Sequence, residues 1–289
     1  MKNYFIIFLL FFVYSCVSQQ YTCNSTCKTQ YPILLVHGIA WRDDVALKKY
    51  WGTIPQQLEK HGATVFLANQ NAYNSFEANA IQIKTRIEEI LKQTNAEKIN
   101  IIAHSKGGLD ARYMISCLGM ENKVASLTTI STPHLGSSLA TEIFVLTDKL
   151  QLQNQIVAIA KCYAKIIGDK KPDVWKAWLM LTPQYMEVFN NEVLNSNMVY
   201  YQSYGSVLTD NYPMKVMVWK KNILEKNEGR NDGDVSETSC QWGEYKGLVW
   251  DKDSLGISHF DIIGFTNKVN FDVNLFYINI VKELAEKGF

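Results

Sequence analysis

An α/β fold with a mostly parallel central sheet flanked by helices is predicted by three observations. Residues 31–38 form a continuous apolar run without alternation, the pattern of a strand buried on both faces. Strand-like and helix-like segments then alternate through residues 44–131, an order that implies parallel pairing through right-handed crossovers. Residues 98–113 compress the same unit: a β-branched apolar run stops at His104, Ser105 follows, and Gly107-Gly108 lead into a helix-compatible segment.

A chain of 289 residues can build one large domain without needing a second. Lys+Arg 29 against Asp+Glu 28 leaves no electrostatic footprint for nucleic acid, so neutral or apolar partners are expected. Lys2 and the apolar run 4–14, followed by Ser15-Cys16-Val17-Ser18, read as a secretory signal peptide. The run is too short for the ~20-residue helix that spans a bilayer. Cleavage after Ser18 leaves residues 19–289 as a single secreted domain with no transmembrane segment; the alternative is a lipid anchor on Cys16. Export makes the remaining cysteines relevant. Cys23 and Cys27 are candidates to bridge each other, Cys162 and Cys240 form a second candidate pair, and Cys117 is expected to be a buried small hydrophobe. No Cys/His spacing matches a zinc site. Asn24-Ser25-Thr26 is a glycosylation sequon, usable in a eukaryotic host.

Along the chain, residues 44–61 suit a helix and 63–68 a second strand, with Ile83, Ile87, Ile90 and Leu91 marking one face of the next helix. Residues 124–131 supply a further strand. From about 140 to 190 the apolar surface exceeds what a crossover requires. An insert at the end of a sheet where ligands bind predicts a helical cap or lid, able to shelter a hydrophobic chain. Residues 199–204 and 214–220 read as the last two strands, and 225–234 as a polar loop. Val273, Phe276, Tyr277, Ile280 and Leu284 give the final helix its apolar face.

The strand, tight turn and helix around Ala103-x-Ser105-x-Gly107 are the setting in which a serine projects from a strained corner as a nucleophile. The backbone N–H groups of Ile39, after the His37-Gly38 strand end, and of Lys106 are candidates to receive an oxyanion. Such a serine needs an imidazole and an acid, which on a sheet of this kind follow in the order Ser, acid, His. Of five histidines, His37 and His61 precede Ser105, His104 adjoins it, and His134 comes before any acid-bearing loop. His259, ahead of the last helix, is left. For the acid, Asn231-Asp232-Gly233-Asp234 offers two carboxylates. Asp232 is preferred because the following glycine permits the turn that aims it, whereas Asp234 suits capping. Asp251 and Asp253 are closer to His259 but read as solvated turn residues.

Together these motifs resemble the secreted triacylglycerol lipases of the α/β-hydrolase superfamily, the bacterial true-lipase type and its fungal relatives. The resemblance rests on Tyr31-Pro32-x-x-Leu35-Val36-His37-Gly38, His104-Ser105-x-Gly107-Gly108-Leu109-x-x-Arg112-Tyr113, Thr132-Pro133-His134, Asn231-Asp232-Gly233-x-Val235-Ser236 and His259-x-Asp261. It implies the α/β-hydrolase fold, a Ser105–Asp232–His259 triad and oxyanion donors at Ile39 and Lys106. It also implies a structural calcium near Asp210 and Asp261, with no cofactor for the chemistry. Lys106 stands where the bacterial enzymes usually carry Gln or Met, which would put a cation near the entrance. The expected function is hydrolysis of lipid esters at a lipid–water interface. A phospholipase or acyltransferase on the same triad, or a catalytically silent binding protein, are the alternatives.

Overall fold

The computed structural model describes residues 26–45 and 48–289. The leader, Cys16, Cys23 and the Asn24 sequon lie outside them. The elements run β1 (Ile33–Val36), α1 (Ile54–Lys60), β2 (Val65–Leu67), α2 (Phe76–Thr94), β3 (Ile99–His104), α3 (Lys106–Cys117) and β4 (Val124–Ile130). An insert of α4 (Ser138–Lys149), α5 (Gln153–Ile166), α6 (Val174–Leu179) and α7 (Pro183–Glu192) follows. The chain closes with β5 (Tyr200–Ser206), α8 (Lys215–Glu228), β6 (Glu244–Val249) and α9 (Val273–Glu286).

The six strands pair in the order β2-β1-β3-β4-β5-β6, every pair parallel. Every residue of β1, β3 and β4 is buried, as in a sheet covered on both sides. The pleat divides the work: Ile33 and Leu35 join the core layer of α1 and α9, Leu34 and Val36 the layer of α2 and α3.

The double glycine after Ser105 has a steric cause. A Cβ on Gly107 would lie 2.3 Å from the His37 carbonyl oxygen and 2.7 Å from that of Val36. The first turn of α3 therefore rests directly on the end of β1. Gly107→Ala should cost about 1–3 kcal/mol, because backbone rather than a flexible side chain must give way. A melting temperature equal to the parent's would contradict that contact.

Four sequence expectations about these elements need correction. Residues 215–220 belong to α8, with Met214 as its N-cap, and not to a strand. Met217, Lys221 and Leu224 are buried at helical spacing, and the β-type residues Val216 and Trp219 point to solvent. Residues 225–228, read as loop, are the last turn of the same helix. The final strand is β6, whose half-exposed edge sequence carries no apolar run. Among the described residues of 44–61 the only helix is α1, where Pro55 sits in the first turn; the buried Tyr50 and Trp51 precede it.

Cys27, Cys117, Cys162 and Cys240 all carry free thiols. The Cys162–Cys240 pair is thus not formed: Cys162 is exposed on α5, and Cys240 is buried against Gly205 of β5. Cys117 is exposed rather than buried. No described helix is long and apolar enough to cross a membrane.

Candidate active site

Ser105 joins β3 to α3 with φ of 54° and ψ of −135°, a conformation that costs a non-glycine residue about 1–3 kcal/mol. Its side chain caps no N–H of α3, so the plain N-cap role is unfilled. Backbone bonds hold the corner: the Ser105 N–H donates to the Ile130 carbonyl at 3.0 Å, and Thr132 Oγ1 donates to the Ser105 carbonyl at 2.8 Å. The hydroxyl is left to face an imidazole, with Ser105 Oγ 2.9 Å from His259 Nε2.

The other ring nitrogen, His259 Nδ1, lies 2.9 Å from Asp232 Oδ2. With a carboxylate there, Nδ1 carries the proton and Nε2 is the acceptor for the serine. Asp232 is itself fixed by the N–H groups of Asp234 and Val235, which donate to Oδ1 at 2.9 and 2.8 Å. The His259 N–H donates to the Asp232 carbonyl at 3.1 Å, so the two loops are tied by backbone as well. All three side chains are buried. Burial alone would lower the His259 pKa, but the attraction of Asp232, helped by Asp234, overcomes it, and the net shift is upward from 6.5. Asp234, the other acid weighed from the sequence, pairs instead with Lys220 at 2.5 Å.

Neither the Ile39 nor the Lys106 N–H donates to another described group, so both remain available to an incoming oxyanion. The Lys106 side chain corrects an expectation. It is buried, 2.6 Å from Asp110 and over the Phe76 ring at 5.0 Å, so no cation from it stands at the entrance.

Tyr50, which carries no sequence signal, and His104 of the serine motif complete the setting. Tyr50 Oη accepts from the Gly38 N–H at 2.8 Å and lies 2.6 Å from His104 Nδ1. The His104 ring stands 4.5 Å from that of His259, held neutral because burial and then His259 push its pKa well below 6.5. Tyr50 and His104 thereby brace the loop bearing Ile39 against the imidazole. His134 and Arg112 of the sequence motifs are structural. The Arg112 guanidinium lies 3.6 Å over Trp242 and donates to Asn190 Oδ1 and the Val193 carbonyl, which anchors α7 to α3. Burial lowers its pKa to about 9. His134 stacks on the same Trp242.

Above Ser105 and His259 opens a cavity of about 440 Å³. Its walls are mainly apolar, with Trp41 and Phe265 on the sheet side and Ile143, Phe144, Tyr163 and Trp178 from the insert. Tyr163 Oη also donates to the Ala40 carbonyl at 3.0 Å, which ties α5 to the loop after β1. A hydrophobic chain attached to a carbonyl at Ser105 would find shelter here.

Asp210 and Asp261 are engaged by different partners. Asp261 is buried and accepts from Tyr212 Oη, from Ser258 Oγ at 2.7 Å and from Thr266 Oγ1 at 2.6 Å, while the exposed Asp210 pairs with Lys221 at 2.8 Å. Hydroxyl donors thus engage Asp261, and an ammonium engages one oxygen of Asp210. Among the described residues no cluster of three or more His, Cys, Asp or Glu could hold a metal ion.

Residues 32–212 match the palmitoyl protein thioesterase family model. Triacylglycerol lipase 2 of Saccharomyces cerevisiae is 32% identical over 83% of this chain and 74% of that protein. The triacylglycerol lipase of Vibrio cholerae is 42% identical, over 39% of this chain and 36% of its own. Among solved structures, a mature Bacillus licheniformis lipase superposes with a TM-score of 0.63 at 20% identity, covering 90% of this chain and 93% of that one. A metagenomic carboxyl esterase gives 0.69 at 16%, covering 90% and 76%. These two share the fold. With a relative this similar over most of both chains, and a family model matching well over half of the sequence, the chain belongs to the lipase family of α/β-hydrolases, within the reach of the palmitoyl protein thioesterase model.

Proposed function

We propose that the protein is an exported serine hydrolase that cleaves lipid esters through an acyl-enzyme on Ser105, with the insert at about 140–190 as its cap. The observation that carries this is the unbroken hydrogen-bond chain Ser105–His259–Asp232 on a strained corner beneath an apolar cavity. His259 Nε2 takes the serine proton as Oγ attacks the ester carbonyl, and Asp232 stabilises the imidazolium. The Ile39 and Lys106 N–H groups receive the tetrahedral oxyanion. The imidazolium returns its proton to the leaving alkoxide, and water repeats the sequence to release the acid. Export rests on the leader sequence alone.

The thioesterase family match favours a second reading, in which the scissile bond is a long-chain thioester. Purified protein should therefore be assayed on triolein, phosphatidylcholine and a palmitoyl thioester, and on tributyrin across its solubility limit. Fatty acid released fastest from triolein, with a step in tributyrin rate as droplets appear, is expected. Faster turnover of the thioester or the phospholipid would reassign the substrate, and a rate that saturates smoothly through the limit would remove the lid role.

The base must be neutral to act. Because the His259 pKa is raised, kcat/KM should fall in acid with a midpoint above 6.5. Asp234→Asn removes one raising charge and frees Lys220, so its midpoint should move down while activity stays within about tenfold of the parent. A parent midpoint at or below 6.5 would contradict this electrostatic account.

A further inference from the structure

Eight of the seventeen large exposed apolar side chains among the described residues fall between Ile143 and Leu179, in the insert. Those of α5 form an organised face. Ala160, Tyr163, Ala164 and Ile167 turn inward toward Tyr73 and Trp178. On the opposite side Ala158, Ile159, Cys162 and Ile166 make an exposed stripe at helical spacing, with Ile159 70% and Ile166 77% exposed. A helix of a soluble domain ordinarily carries polar residues there. Lys161 and Lys165, one turn apart, run along one edge of the stripe, make no ion pair with a described residue, and have no acidic residue beside them on α5.

We propose that this outer face of α5 docks the protein on an anionic lipid surface in the conformation seen here, without any movement of the insert. Apolar side chains would enter the acyl boundary while the two ammonium groups meet lipid phosphates. The face points away from the cavity, so it serves attachment rather than substrate binding. Charge favours this occupant over a second copy of the chain, because a two-fold contact through the stripe would bring the same lysines together. The inference builds on the lipid-ester reading above but is tested without catalysis.

The Ser105→Ala protein would be sedimented with phosphatidylcholine vesicles and with phosphatidylcholine–phosphatidylglycerol vesicles, at low and high salt. Binding should be tighter to the anionic vesicles and weaken with salt. Lys161→Glu with Lys165→Glu should weaken it by about 30-fold or more, and Ile159→Asp with Ile166→Asp should abolish it. Both pairs of changes, made in active protein, should leave melting temperature and hydrolysis of a dissolved short-chain ester unchanged. Absence of binding, equal binding to both vesicle types, or a dimer dispersed by the same substitutions would overturn the inference. If no lipid ester is cleaved yet anionic vesicles are bound through α5, the hydrolase reading fails and the docking face stands.

Discussion

Ser105→Ala should lower ester hydrolysis by about 10⁶-fold while the protein remains as stable as the parent. The first half follows from the loss of the hydroxyl proposed to attack, which is the one bonded to His259 Nε2. Without Oγ, His259 Nε2 has only water to activate, and the oxyanion donors alone sustain a residual rate. The second half follows from the local structure. Ser105 Oγ makes one hydrogen bond, to His259, and caps nothing in α3, so its removal opens no structural bond. Alanine meets the same positive φ as serine and inherits the strain unchanged. Kinetics on a dissolved ester, paired with a thermal melt, checks both. Retained activity would exclude Ser105, and unfolding would show that the corner depends on its hydroxyl.

Asp232→Asn should cost about 10⁴-fold in kcat, with Asp234→Asn as its control. Asparagine keeps the oxygen that accepts from the N–H groups of Asp234 and Val235, so the turn survives. Its amide, however, presents N–H to His259 Nδ1. The imidazole must then accept at Nδ1 and carry its proton on Nε2, where it can no longer take one from Ser105. Asp234 makes no contact with the ring and is engaged by Lys220 on the pocket wall. Equal losses in the two variants would mean that net negative charge near His259, rather than a defined tautomer, drives the reaction.

What could be read from the sequence follows from where burial leaves a local trace. β1, β3 and β4 are buried on both faces, so their apolar runs are uninterrupted and their ends sharp. Ser105 and Asp232 come with glycines that the backbone geometry requires, and the chain order leaves His259 among five histidines. Long-range effects were hidden. The first half of α8 reads as a strand because Val216 and Trp219 favour strands, and only packing of Met217, Lys221 and Leu224 against the body of the protein selects the helix. β6 is an edge strand with Gly247 in its middle and little to bury.

The partners of the buried charges have the same long-range origin. Asp110 stands four residues after Lys106, a spacing that could have predicted the ion pair, but that both would be buried depends on α2 lying against α3. Asp261 is satisfied by Tyr212, forty-nine positions away, a partner no local pattern announces. Tyr50 likewise reaches His104 across fifty-four positions.

The central claim is that Ser105 is the activated nucleophile. Incubation of the purified protein with a fluorophosphonate probe, followed by proteolysis and mass spectrometry, tests it most directly. The account predicts a single adduct on the peptide containing Ser105, lost in Ser105→Ala and strongly slowed in His259→Ala. An adduct on a different serine, or fatty acid release by a protein that never takes up the probe, would contradict it.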